Sequence, residues 1–189
     1  PCMTELHHLT LPPRDHKPRQ RGLTTVIDGG LATARFEDLL SSFAPHIDFV
    51  KFGWGTSLVT PDLTRKIEVA TSHGVHFHFG GTLFEKYVLQ DRVDDYKRFL
   101  SSHGATYVEI SNGTIDLDEE GKASYVTDFA KDFIVIAEVG INHEGKFDKA
   151  IQMADAAAAA GADCVKYQCH ITEEEMVPTD MTPGKISTE

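Results

Sequence analysis

The sequence predicts an α/β fold of the TIM-type (β/α) barrel class, incomplete at about six β/α units. Three observations carry that expectation. Short apolar runs alternate with longer amphipathic ones, helices stop at a glycine just before the next strand, and one face of the strands turns polar towards their C-terminal ends.

The elements follow in order. Residues 24–28 read as a strand ended by Gly29-Gly30, and 35–44 as a helix with Phe36, Leu39, Leu40 and Phe43 at helical spacing. Residues 48–53 are the second strand and 61–73 the second helix, stopped at Gly74. Residues 76–81 are the third strand, and 83–103 form one broken helix or two, ended at Gly104. A fourth strand at 107–112 precedes a helix at 118–132, and a fifth strand spans 133–140. The alanine-rich stretch 147–160 is a strong helix with a Gly161 stop, and 164–170 is the sixth strand. Strands joined by helices in this way are parallel, with right-handed crossovers.

Side chains alternate between the two faces of a strand. One face carries Ile27, Val50, Phe52, Phe77, Phe79, Val108, Ile110, Val135, Val139, Val165 and Tyr167, suited to packing under helices. The other is expected to carry Asp28, Lys51, His76, His78, Glu109, Ser111, Glu138, Lys166 and Gln168. An open doubly wound sheet would be apolar on both faces. A polar face instead fits a barrel interior with a site at its mouth.

At 189 residues the chain has room for one sizeable core, yet a closed barrel needs eight strands and typically about 250 residues. Strands one and six would therefore be open edges, for which a homo-oligomer is the expected remedy. Residues 1–21, with Pro12, Pro13 and Pro18, read as an irregular lead-in, with Pro1 and Cys2 an appended remnant before Met3. His7-His8 reads as solvated, and residues 171–189 as a loop. Hydrophobic content of 41% and charged content of 25% are ordinary for a soluble globular protein. A net charge of -11 excludes a basic nucleic-acid surface, and no apolar run reaches membrane-spanning length. Three scattered cysteines (Cys2, Cys164, Cys169) make neither a disulfide framework nor a zinc site, and read as reduced thiols of a cytoplasmic protein.

The inward polar set has a definite chemistry. Asp28, Glu109, Asp116 and Glu138 are hard oxygen donors suited to magnesium, which keeps several waters and often bridges to a substrate phosphate. Lys51 and Lys166 can neutralise phosphate or carboxylate oxygens. Gly80-Gly81-Thr82 ends strand three at the start of a helix, where backbone N–H groups face an anion. His76 and His78 share a face, as a metal pair or, more in keeping with a barrel lining, as hydrogen-bonded histidines. A strand-end carboxylate can equally be a helix cap or an ion-pair partner, whereas an inward lysine needs a partner.

Longer motifs resemble a known family. Gly22-Leu23-Thr24, Val26-Ile27-Asp28, the run 48–57 (DFVKFGWGTS), Gly80-Gly81-Thr82-Leu83-Phe84-Glu85, the run 109–117 (EISNGTIDL) and Glu138-Val139-Gly140 are similar to phosphosulfolactate synthase over residues 22–140. The resemblance implies a magnesium-dependent TIM-type barrel (manganese possible) that adds sulfite to phosphoenolpyruvate on the route to coenzyme M. Sulfite would attack the methylene carbon, magnesium would stabilise the enolised carboxylate, and a lysine would protonate it. The catalytic residues implied are Lys51, Glu109 and Glu138. Asp28, Glu109 and Glu138 are the expected metal ligands, and Gly81, Thr82, Ser111 and Asn112 the expected substrate contacts. After Gly140 the pattern departs. Asn142 stands where the family has the lysine proposed as proton donor, and the sixth strand reads Lys166-Tyr167-Gln168-Cys169-His170 in place of an arginine-bearing strand end.

Residues 133–180 instead resemble the opening of an N-acetylneuraminate (sialic acid) synthase, through the runs 136–145 (IAEVGINHEG) and 160–168 (AGADCVKYQ). Those enzymes are also TIM-type barrels, and condense phosphoenolpyruvate with an N-acetylated sugar. The resemblance implies that Lys166 and Gln168 contact phosphoenolpyruvate and that Glu138 is central. The two resemblances share residues 133–140, so the β/α register continues across the joint. The chain reads as a fused barrel, with a phosphosulfolactate-synthase-like part over 22–140 and a sialic-acid-synthase-like unit over 141–189. A sulfite-adding lyase, a fragment of a sugar-condensing transferase and a non-catalytic phosphate-binding scaffold are the three functional expectations.

Overall fold

The computed structural model describes residues 13–169, so the readings of Cys2, His7-His8 and residues 171–189 lie outside the described residues. Six parallel strands alternate with six helices: β1 Thr25–Asp28, α1 Thr33–Phe43, β2 Phe49–Phe52, α2 Leu63–Ser72, β3 His76–Phe79, α3 Gly81–Leu89, α4 Val93–Ser102, β4 Tyr107–Ile110, α5 Glu119–Phe129, β5 Ile134–Gly140, α6 Phe147–Ala159 and β6 Cys164–Tyr167. The ambiguous stretch 83–103 is two helices, parted at Asp91, whose φ is +53°. Gly74, Gly104 and Gly161 follow α2, α4 and α6 with φ of +63°, +66° and +96°, a conformation that side-chain-bearing residues adopt at a penalty.

Hydrogen bonding divides the strands into two parallel sheets, β1-β2-β3 and β4-β5-β6. The sheets meet at β3 and β4, where the Tyr107 ring lies 5.3 Å from His76 and 4.9 Å from Phe49. The sheets do not close on one another: β1 and β6 each keep an unpaired edge among the described residues. The helix-facing side holds the core. Val50, Phe52, Phe77, Phe79, Val108, Ile110, Val135 and Ala137 are buried with Phe36, Leu40, Phe84, Tyr96, Leu100 and Phe129 from the helices. No helix is long and apolar enough to cross a membrane among the described residues.

The parity read for β1 is reversed. Register pairs Ile27 with Lys51 and Asp28 with Phe52, so Ile27 faces the interior and Asp28 faces the helices. Ile27 is half exposed because the interior is open on that side, while Asp28 is buried. Asp28 accepts from Lys66 Nζ at 2.6 Å and from the amides of Gly30 (2.9 Å) and Leu31 (2.8 Å). It ties the turn after β1 to α2, and is not a strand-mouth metal ligand. Lys66 itself is fully buried in the stripe Leu63, Lys66, Ile67 and Ala70, with its ammonium 5.3 Å from the Phe36 ring centre.

The lead-in is irregular but anchored. Arg19 pairs with buried Asp48 at 2.6 Å, which also accepts from the Thr24 amide. Lys17 donates to the carbonyls of Ala44 and Ile47, and Arg14 to that of His46. Lys17 and Arg14 thus brace the turn that follows α1, and Arg19 its far end at Asp48.

Candidate active site

The inward residues of all six strands line one open cavity of about 720 Å³. It runs from Lys17, Arg19, Asp48 and Asp163 near the N-terminal strand ends, past Phe49, Tyr107, Ile134 and Ile136, to Lys51, His78, Glu109 and Lys166. The parallel register explains the grouping. Lys51 pairs with His78 across β2 and β3, Glu109 with Ile136 across β4 and β5, and Glu138 with Lys166 across β5 and β6.

Glu109 is the centre of the cluster. Its Oε1 accepts from Lys51 Nζ at 2.7 Å and from the Gly81 amide at 2.8 Å, and its Oε2 accepts from Lys166 Nζ at 2.9 Å. Lys166 also pairs with Glu138 Oε2. Burial works to raise the Glu109 pKa, but Lys51, Lys166 and His78 outweigh it and hold the carboxyl at about 2. Burial pulls the Lys166 ammonium below its ordinary value, against the opposing pull of Glu109. It likewise lowers His78, whose Nδ1 lies 4.0 Å from Glu109 Oε2 and 3.3 Å from the Phe79 carbonyl. Two lysines and two glutamates cancel, so the cluster is formally neutral.

The other expected site residues divide. Gly81 opens α3 behind Gly80, with its amide on Glu109 rather than free for a substrate; Thr82 follows it, exposed at the rim. Ser111 is buried and donates to Glu85. Asn112 is committed to the loop after β4: its Nδ2 donates to the Leu117 carbonyl and Glu119, and its Oδ1 accepts from Lys122. In the chain as it stands Asn112 braces this loop. Gln168 lies at the rim beyond β6, with its backbone amide on the Gly140 carbonyl. Asn142 is exposed, 3.5 Å from Glu119, and Lys66 and Glu85 are buried charged residues near these strands. Lys66 left a signal as the charged member of an apolar helix stripe.

Magnesium can be tested against these donors. Asp28 is excluded by its place behind the sheet, and no three His, Cys, Asp or Glu side chains converge as a cage among the described residues. Both Glu138 oxygens are buried and accept no hydrogen bond among the described residues, although Oε2 faces the Lys166 ammonium. A buried, unsatisfied carboxylate oxygen on Glu138, which shares Lys166 with Glu109, suits a cation that takes one or two carboxylates and completes its shell with water and phosphate.

A profile of the (2R)-phospho-3-sulfolactate synthase (ComA) family matches residues 12–175. The chain belongs to the phosphosulfolactate synthase family. It is 48% identical over 132 residues to the phosphosulfolactate synthase of Bacillus subtilis (70% of this chain, 52% of that protein) and 41% over 133 residues to that of Methanothermobacter thermautotrophicus (68% and 51%). The chain thus spans about half the length of these curated relatives. A further 34-residue stretch is 65% identical to the spore coat polysaccharide biosynthesis protein SpsE of Bacillus subtilis, covering 18% of this chain and 9% of that protein. Among solved structures, 2,3-dimethylmalate lyase of the PEP mutase/isocitrate lyase superfamily aligns with TM-score 0.53 at 16% identity, over 80% of this chain and 60% of that one. The carboxyl transferase domain of Rhizobium etli pyruvate carboxylase aligns with TM-score 0.55 at 12% identity, over 76% and 26%. These likenesses are of fold.

Proposed function

We propose that the mouth of this open barrel binds phosphoenolpyruvate and that the family's reaction, addition of sulfite to it, is the chemistry the site is built for. One observation carries the reading: Lys51 from β2 and Lys166 from β6 converge on Glu109 at the strand ends. Ammonium groups held there can take the carboxylate and phosphate oxygens of the ligand as point charges. Because the cluster is neutral, a multiply charged anion gains little from it alone. Magnesium, or manganese in its place, would be held by Glu138 and Glu109 and would supply the missing positive charge while stabilising an enolised carboxylate.

In the reaction so read, sulfite sulfur bonds to the methylene carbon, the carbon–carbon π pair moves towards the carboxylate, and a proton then arrives at the phosphate-bearing carbon. Lys51 and Lys166 orient the anion, and Glu109 keeps the two ammonium groups apart and in place. The proton donor expected two residues past Gly140 is absent, since Asn142 stands there. This departure favours ligand binding over fast turnover.

The SpsE-like stretch supports a second reading, a part of a phosphoenolpyruvate condensing enzyme acting on an N-acetylated sugar. Phosphorus NMR of phosphoenolpyruvate with magnesium, with sulfite in one arm and N-acetylmannosamine in the other, separates the two. Sulfite-dependent conversion supports the first, phosphate release with the sugar supports the second, and line broadening without conversion leaves a binding scaffold. The absence of any interaction with phosphoenolpyruvate would sink all three. The open edges of β1 and β6 favour association of copies, which light scattering at several concentrations would register as a mass above 20.9 kDa.

A further inference from the structure

Glu85 lies outside the lysine cluster, yet it is one of the most buried charged residues in the protein, at 1% exposure. It sits in the second turn of α3 without a cationic partner among the described residues. Its carboxylate accepts four hydrogen bonds instead. Oε1 takes the Ser111 hydroxyl and the Gly113 amide (3.0 Å), and Oε2 takes the Thr114 amide (2.8 Å) and hydroxyl. A buried carboxylate is tolerated only when its oxygens are so satisfied, and the arrangement pins the loop after β4 onto α3.

The pinned loop is in contact with the site. A Cβ on Gly81 would stand 2.6 Å from Ser111 Cβ and 3.3 Å from Glu109 Oε1, so Ser111 rests directly on Gly81. The Gly81 amide in turn holds Glu109 Oε1, the oxygen that receives Lys51. Two carboxylates therefore bracket one backbone contact: Glu85 fixes Ser111, Ser111 abuts Gly81, and Gly81 fixes Glu109.

We propose that Glu85 is a positioning residue, which sets the Gly81 amide on Glu109 and through it the placement of Lys51 and Lys166 around the anion. Its consequence for affinity rests on the reading that this mouth binds phosphoenolpyruvate; its consequence for Gly81 does not. Glu85→Gln keeps the shape but turns an amide NH2 towards the loop donors, so at least one loop hydrogen bond is lost.

The test uses the full chain. The proton shift of the Gly81 amide, read in a 15N-labelled sample, reports its hydrogen bond to the Glu109 carboxylate, and calorimetry with phosphoenolpyruvate and magnesium reports binding. In folded Glu85→Gln the Gly81 proton is expected to move upfield and the Kd to weaken about tenfold, the usual scale for losing an outer support of a binding group. A folded variant with an unmoved Gly81 resonance overturns the proposal, as does a moved resonance with unchanged affinity. If Glu85→Gln fails to fold, Thr114→Val, which removes a single donor, is expected to shift the same resonance in the same direction, and no shift overturns it. Should the unaltered chain not bind phosphoenolpyruvate at all, the functional reading fails while the Gly81 shift still decides the role of Glu85.

Discussion

Replacing Lys66 by Met tests whether Asp28 is a structural anchor or a residue of the mouth. The ammonium is fully buried and 2.6 Å from Asp28 Oδ2. At an effective dielectric constant of about 20, charges at that separation attract by roughly 6 kcal/mol, offset in large part by the desolvation of both. Removing one partner strands the other. Asp28 would keep the Gly30 and Leu31 amides but no cation, and the expected loss is about 3–5 kcal/mol. Met retains most of the packing against Phe36, so the loss is electrostatic rather than a cavity effect. For a chain of this size that is a fall in Tm of roughly 10 °C. Thermal unfolding followed by circular dichroism measures it, with the Asp28→Asn, Lys66→Met double variant recovering much of the loss. Phosphoenolpyruvate affinity of the folded double variant should be nearly unchanged. A stable Lys66→Met protein, or a double variant that folds but loses the ligand, would refute the placement of Asp28 behind the sheet.

Three further outcomes are expected. Stability should fall with acid in two stages. His78, held below 6.5 by burial, loses its contribution as the unfolded chain takes up a proton beneath that value. Glu109, at about 2 against 4.5, then loses about 3 kcal/mol as pH drops from 4.5 towards 2; urea midpoints that stay flat over this range would contradict the cluster. Gly81→Ala should destabilise by about 1–3 kcal/mol, since the new Cβ meets Ser111 Cβ at 2.6 Å, and an unchanged urea midpoint would show that the contact is loose. Ala157→Leu should stabilise by about 1 kcal/mol by covering apolar surface in the open groove between α5 and α6, where Val126, Val139, Ala157 and Ala160 meet; a lowered Tm would show that the groove cannot take the side chain.

The sequence alone determined the order of elements, the parallel strands and the inward placement of Lys51, Glu109, Glu138 and Lys166. Those features follow from periodicity and from glycine stops, which are local properties of the chain. It also carried the family, because motifs such as 109–117 are contiguous. Tertiary structure decided the rest. A four-residue strand gives periodicity too little to work on, and whether Ile27 or Asp28 faced inward depended on pairing with β2 and on a lysine 38 residues away. Nothing local reveals that Lys122, Leu117 and Glu119 bond the polar atoms of Asn112. Glu85 carried no sign of its role, since its partners lie on the next strand's loop. Hydrogen-bond satisfaction is a property of neighbours in space, and only the folded chain fixes which strand-end side chains are already spoken for and which, like Glu138, lack a hydrogen-bond donor among the described residues.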